Sequence, residues 1–170
     1  STTLANASSS DDIARAIKPN TKMVLIEGIS NPTLRVADFH GISSICKEAG
    51  IILAVDNTFT TPKAFQPLKH GADIVIHSVT KLLAGHSDVT LGYVVAKDAA
   101  LNKRIYDFAV TTGLTASPFD CWLAERGLLT FDLRFEKAQK NAENLADALA
   151  THPKIARVLY PMRKDHPDHE

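Results

Sequence analysis

Three runs of uninterrupted apolar residues mark the first half of the chain: Met23-Val24-Leu25-Ile26, Ile51-Ile52-Leu53-Ala54-Val55 and Ile74-Val75-Ile76. A strand that alternates apolar and polar residues buries one face, whereas a strand apolar throughout buries both. Between the first two runs, Ile42, Ile45, Cys46 and Ala49 fall on one face at helical spacing. Asp38 is placed to cap that helix and Gly50 to end it. Apolar strands separated by amphipathic helices predict an α/β domain with a mostly parallel sheet covered on both sides. Ile13, Ala14 and Ile17 predict a short helix behind Ser8-Ser9-Ser10-Asp11, stopped by Pro19. Leu91 to Ala96 predicts a fourth strand.

After Asp98 the pattern becomes helical. Ser117-Pro118-Phe119-Asp120 is a strong helix start: a capping serine, proline at the first helical position and an acid three residues after the cap. Gly127 is expected to weaken that helix. A second helix, with Ala138, Ala142, Leu145 and Leu149 on one face, stops before Pro153. Arg157-Val158-Leu159-Tyr160 predicts a new strand. The change from strand–helix alternation to paired helices predicts a domain boundary near Thr130. An α/β pattern already under way at the start, and a strand only beginning at the end, predict a piece of a longer enzyme.

Composition narrows the class. The chain has 170 residues, 45% hydrophobic and 22% charged, with a formal net charge of zero, which fits a globular domain and argues against a nucleic-acid binder. No apolar run is long enough to span a bilayer, so no membrane partner is expected. The start, STTLANASSSDD, lacks the basic and apolar segments of a signal peptide. Cys46 and Cys121 both read as small core residues, consistent with a reducing cytoplasm.

In parallel α/β sheets functional groups gather at the carboxyl ends of strands. Three predicted strands end in polar clusters: Glu27-Gly28-Ile29-Ser30-Asn31-Pro32, Asp56-Asn57-Thr58 and His77-Ser78-Val79-Thr80-Lys81. Neighbouring strands would bring Asn31, Asp56 and Lys81 to one site. An amine, a carboxylate and hydroxyls at one edge match the needs of pyridoxal phosphate (PLP). Its aldehyde takes a lysine amine, its pyridine nitrogen a carboxylate, and its phosphate hydroxyls and backbone N–H groups. Lys81 would be the Schiff-base amine, with its pKa lowered in a partly apolar site. Asp56 would partner the ring nitrogen. Ser78 and Thr80 alternate along an extended segment and can face one phosphate. The run Asp165-His166-Pro167-Asp168-His169-Glu170 has metal-ligand residue types, but Pro167 breaks any common helical face and no metal is expected.

SVTKLLAGHSD, ISNP and VDNTFTTP, together with GADIVIHSVTK, SPFDCWLAERGL and HPKIARVLYP, resemble the Cys/Met-metabolism family of PLP-dependent enzymes. That family includes cystathionine gamma-synthase, the cystathionine lyases, methionine gamma-lyase and O-acetylhomoserine sulfhydrylase. The resemblance implies a type I PLP-dependent transferase fold similar to aspartate aminotransferase. Residues 1–130 would be part of the PLP-binding large domain, and 131–170 the start of an α/β C-terminal small domain. It implies Lys81 as the Schiff-base lysine and Asp56 as the pyridine partner. Ser78 and Thr80 would be the phosphate hydroxyls, and Asn31 the residue near the ring oxygen. It further implies a lyase or transferase acting at Cβ or Cγ of a small sulfur amino acid. The family usually forms homotetramers built from dimers. Leu82 stands where the family often has an aromatic residue. The upstream phosphate loop, ring-stacking tyrosine and cross-subunit Tyr-x-Arg pair, and the downstream carboxylate-binding arginine, fall outside this chain, so the chain alone is expected to be inactive.

The same residues also have plain uses. Asp-Asn opens turns, hydroxyls bond local backbone, and an asparagine before proline can be only a turn residue. His86, Ser87 and Asp88 are expected to brace the lysine loop, and Trp122 to pack its helix. A different type I enzyme, such as an aminotransferase, would share Lys81 and Asp56. A truncated chain without catalysis of its own is the other alternative.

Overall fold

In the computed structural model, which describes residues 1–169, the three apolar runs become β1 (Met23–Glu27), β2 (Ile52–Asp56) and β3 (Ile74–Ser78). They pair in parallel, and β4 (Gly92–Ala96) joins antiparallel to β3, giving the order β1-β2-β3-β4. The helix α1 (Ser10–Ala16) precedes β1. α2 (Phe39–Ala49) carries the chain back between β1 and β2, and α3 (Thr61–Ala64) with a 3-10 turn at Pro67–His70 does so between β2 and β3. The 79–91 segment instead turns back along the same edge, so β4 runs the other way.

Cap chemistry sets the ends of the helices. Asp38 accepts the Gly41 N–H, and Gly50 ends α2 in the left-handed region at φ +64°. α4 (Ala99–Thr112), capped by Asp98, is followed by α5 (Pro118–Leu128), where Ser117 Oγ accepts the N–H groups of Phe119 and Asp120. α6 spans Phe131–Ala150.

Alternation along β2 sorts the core into two layers. Leu53 and Val55 pack with Ile13, Phe39, Ile42 and Cys46 of α1 and α2. Ala54 turns the other way and packs with Ile74, Ala96 and, from α4, Leu101 and Ile105. Ile42, Leu53 and Val55 are each 0% exposed, and burial of each stabilises by about 1.5–3 kcal/mol. The cover stops at β1: Leu25, in register with Ala54, is 63% exposed.

Four expectations need correction. Arg157–Tyr160 forms no strand, because among the described residues no strand lies beside it to complete a ladder. Cys46 is buried, and its thiol is pushed up to about 11 by that burial and by Asp73, but Cys121 is exposed and contributes nothing to the core. On α6 the covered side holds Ala142, Ala146 and Leu149, while Ala138 and Leu145 face outward, so the buried stripe is rotated from the expected one. Trp122 is 55% exposed and, among the described residues, stacks on Phe119 of its own helix rather than on another element. Gly127 has a packing reason as well: a Cβ there would lie 2.4 Å from the Ala84 carbonyl oxygen, so only glycine lets α5 approach the loop after β3 this closely.

The terminal acidic–histidine run has a structural use. Asp168 accepts a two-pronged bond from Arg35, 2.6 Å from Nε and 2.5 Å from Nη2, and also takes the Val36 N–H at 2.8 Å. His166 is buried beside it and its Nδ1 accepts the Asp168 N–H. The segment is thereby clasped to the loop after β1.

Two outcomes follow from this packing. The Arg35 hydrogen bonds hold the Asp168 carboxyl below its ordinary range. The clasp therefore contributes fully above the unfolded carboxylate pKa near ~3.9 and is lost as pH falls through the lower folded value. Asp168→Asn is expected to cost about 1–2 kcal/mol at neutral pH, discounted because Arg35 is partly solvated, and nothing at the acid end. Urea melts at both pH values check this. Gly127→Ala gains about 1 kcal/mol of helix propensity but overpacks against Ala84, for an expected net loss of about 1–2 kcal/mol in denaturant midpoint.

Candidate active site

The parallel register aligns strand ends. Glu27 lies opposite Asp56, and Asp56 opposite Ile76, two residues before Ser78. Asp56, half-buried, accepts the Thr58 N–H on Oδ1 at 2.9 Å, which fixes its carboxylate at the start of the turn. Thr58 Oγ1 in turn accepts the Ser78 N–H at 2.8 Å, joining the ends of β2 and β3. The turn is held from within by Asn57, which is 1% exposed. Its amide nitrogen donates to the carbonyls of Thr61 and Phe65, and its oxygen accepts from Thr60. In VDNTFTTP the aspartate faces the site and the asparagine next to it builds the scaffold.

Ser78 closes β3, and its hydroxyl has no hydrogen-bond partner among the described residues, which leaves it free for a ligand. Thr80 is engaged differently. Its hydroxyl donates to the Leu91 carbonyl at 3.2 Å and accepts the Leu91 N–H at 2.9 Å, a bridge across the mouth of the loop. It can serve a phosphate only by giving up its bond to the Leu91 oxygen, so the two hydroxyls are not equivalent.

Lys81 lies in a turn stitched by its own amides: Lys81 N–H to Ser78, Ala84 N–H to Val79 and Gly85 N–H to Lys81. His86 Nδ1 lies 2.6 Å from the Ala84 oxygen and donates to it, so His86 does brace the loop. Ser87 and Asp88 instead line the cavity. Lys81 is exposed, so this chain by itself does not enclose the amine in the apolar surroundings expected from sequence.

Asn31 sits on a closed loop. Ile29 bridges Val36, Ser30 N–H donates to Arg35, and the Asn31 N–H donates to the Glu27 carboxylate at 3.3 Å. Leu34 lies in the left-handed region at φ 54°, and the Asn31–Pro32 peptide bond is cis.

One open cavity of about 960 Å³ has Asn31, Asp56, Ser78, Thr80 and Lys81 all in its lining. Glu27 and Thr58 line it too; they lie within the polar clusters noted in the sequence but were not singled out there. His77, on the strand between Ile76 and Ser78, points to the other face of the sheet, buried and stacked on Tyr93. Burial lowers its imidazole pKa, opposed by the charge of Asp56 and the Asn57 backbone, and favours the neutral ring.

The donor set fits PLP. The cavity holds an amine, an asparagine amide, the unpaired Ser78 hydroxyl and three carboxylates, of which Asp56 stands at a strand end with its orientation fixed by the Thr58 N–H; among the described residues Lys81 is the one cation in the lining.

Comparison with known proteins agrees with that fit. The family model for "Cys/Met metabolism PLP-dependent enzyme" matches residues 1–170. The chain is 44% identical over 168 residues to cystathionine beta-lyase MetC of Bacillus subtilis (strain 168), covering 99% of this chain and 43% of that protein. It is 44% identical over 156 residues to cystathionine gamma-synthase of Haemophilus influenzae, covering 92% of this chain and 42% of that protein. The crystal structure of cystathionine gamma-lyase from Lactobacillus plantarum, complexed with L-serine, superposes with a TM-score of 0.95 at 34% identity, over 98% of this chain and 44% of that one. Cystathionine gamma synthase from Xanthomonas oryzae pv. oryzae, in complex with aminoacrylate and cysteine, gives a TM-score of 0.92 at 42% identity, over 96% and 42% of the two chains. The chain thus spans less than half the length of the relatives it matches. With a family match along its whole length and this α/β architecture, the chain belongs to the Cys/Met metabolism PLP-dependent enzymes.

Proposed function

We propose that this chain carries the lysine-bearing half of an active site for elimination or replacement at Cβ or Cγ of a sulfur amino acid. The substrate would be cystathionine, methionine or an acylated homoserine. The observation that carries the reading is the meeting of Lys81, Asp56, Ser78 and Asn31 in one cavity at the ends of three parallel strands. The relatives named cystathionine beta-lyase, cystathionine gamma-synthase and L-methionine gamma-lyase support the substrate class.

Bound there, PLP would supply an aldehyde for an amine and a protonated ring that accepts electrons. The chain's own residues do the rest. The Lys81 amine would hold the aldehyde carbon at rest. Once released by the substrate's amine, it would move protons at the substrate's Cα and at the carbon beyond, as general base and then acid. Asp56, its carboxylate oriented by the Thr58 N–H, would keep the proton on the ring nitrogen. Ser78 would donate its free hydroxyl to the phosphate, with Thr80 joining at the cost of its bond to the Leu91 oxygen. Asn31 would direct its amide to the ring oxygen. Residues 131–170 would begin a second domain, a reading supported by α6 starting at Phe131. A cytoplasmic homotetramer is the assembly that the family resemblance favours.

Borohydride reduction of the holoenzyme containing this chain, followed by peptide mass mapping, is expected to place a pyridoxyl group on Lys81. Lys81→Ala should abolish both the adduct and turnover while the circular dichroism spectrum is kept; unchanged turnover would end the mechanism. Asp56→Asn is expected to weaken cofactor retention. It should slow exchange of the substrate α-proton by about a hundredfold or more, read by NMR in deuterated buffer. A normal exchange rate would show that another group holds the ring proton.

A further inference from the structure

The turn that carries Lys81 cannot pair all of its own backbone. The amides of Lys81, Ala84 and Gly85 go to the carbonyls of Ser78, Val79 and Lys81. No amide of the turn reaches the carbonyls of Leu82 and Leu83, the two peptide units directly after the lysine. One side chain takes both. Arg134, on the first turn of α6, donates Nη1–H to the Leu82 oxygen at 2.9 Å and Nη2–H to the Leu83 oxygen at 3.0 Å. Nη2 also donates to the Gly127 oxygen at 2.9 Å, and Nε to Thr130 Oγ1 at 3.0 Å. Four donors of a rigid planar fork are thus committed, with charge assistance, to fixed acceptors.

Two glycines make room for this seat. A Cβ on Gly85 would fall 1.8 Å from Arg134 Nη1, and one on Gly127 would strike the Ala84 carbonyl. The same end of α6 is tied to the other side of the cavity. Lys63 of α3, on the segment that follows Asp56, bonds Asp132 at 2.9 Å and Glu136 at 2.8 Å. The start of α6 therefore grips both the lysine turn and the segment after β2.

We propose that Arg134 is a positioning residue for Lys81: by holding the carbonyls of Leu82 and Leu83 it sets where the amine stands in the cavity. Arg134 is not part of the cavity lining and makes no bond to the Lys81 side chain, so it acts through the backbone alone. The proposal rests on the reading of Lys81 as the amine that holds the cofactor. A lysine at 134 keeps the charge but loses the fork, so it can serve only one of the two carbonyls well.

The test compares Arg134→Lys, Arg134→Ala and Lys81→Ala in the enzyme containing this chain, with and without PLP. In the cofactor-free protein, hydrogen exchange at the Ala84 and Gly85 amides is expected to rise about tenfold in Arg134→Lys and further in Arg134→Ala. In the loaded enzyme, kcat should fall about tenfold to a hundredfold with KM nearly unchanged, as for a displaced reacting group. The pH midpoint of the visible band of the lysine-bound cofactor should move as well. If Arg134→Ala does not fold, Arg134→Lys still decides. Wild-type exchange, midpoint and kcat in Arg134→Lys, even with a lower melting temperature, would overturn the positioning role and leave Lys81 its own. A borohydride adduct that persists in Lys81→Ala would instead overturn the reading of Lys81, and this proposal with it.

Discussion

Parallel strands deliver their carboxyl ends to one edge of a sheet, and every feature of this site depends on that registration. Glu27, Asp56 and Ser78 come from three separate stretches of the chain, yet the β1-β2-β3 pairing places them along one rim. The pairing is paid for elsewhere, by Leu53, Val55 and Ile42 in the layer under α1 and α2. Polar groups can then stand at the rim without a large penalty, because the apolar residues behind them hold the strands in place.

A rim of this kind has a cost in unpaired backbone. Where strands end, N–H and C=O groups lose their ladder partners, and each buried one left unmet costs about 1–3 kcal/mol. The chain meets them with single side chains. Asn57 takes two carbonyls of the turn after β2, Thr58 takes the Ser78 N–H, Thr80 takes both polar groups of Leu91, and Arg134 takes the carbonyls after Lys81. These polar residues are as much part of the site as those that line it, since they fix the loops on which the lining residues sit. The Arg35–Asp168 clasp does the same for the loop that carries Asn31.

Much of this was legible in the residues. Uniformly apolar runs marked β1, β2 and β3, and capping residues at Asp38, Gly50 and Ser117 set helix ends correctly, because both signals are local. The cavity lining was legible too, since a residue just past an apolar strand must lie at its carboxyl end. Other expectations failed where the answer lay outside the local pattern. Cys121 and Leu145 carry the right spacing for a core but lie on helix faces that nothing in the described chain covers. Arg157–Tyr160 has strand-forming residues but no neighbour among the described residues to pair with. Gly127 reads as a weak point in a helix until Ala84 is seen against it.

The sequence by itself determined the class of fold, the order of β1 to β4 along the chain and the chemical character of the rim: an amine, a carboxylate, hydroxyls and an amide. Periodicity, caps and strand ends are short-range properties, so residue order alone carries them. Only the tertiary structure decided which groups are free and which are spent. Ser78 keeps an unpaired hydroxyl and Thr80 does not, because Leu91, across the loop, meets one and not the other. No local pattern singles out Arg134, which anchors the lysine turn because α6 starts beside it. Such pairings depend on residues far apart in sequence and close in space, and no local pattern encodes that distance.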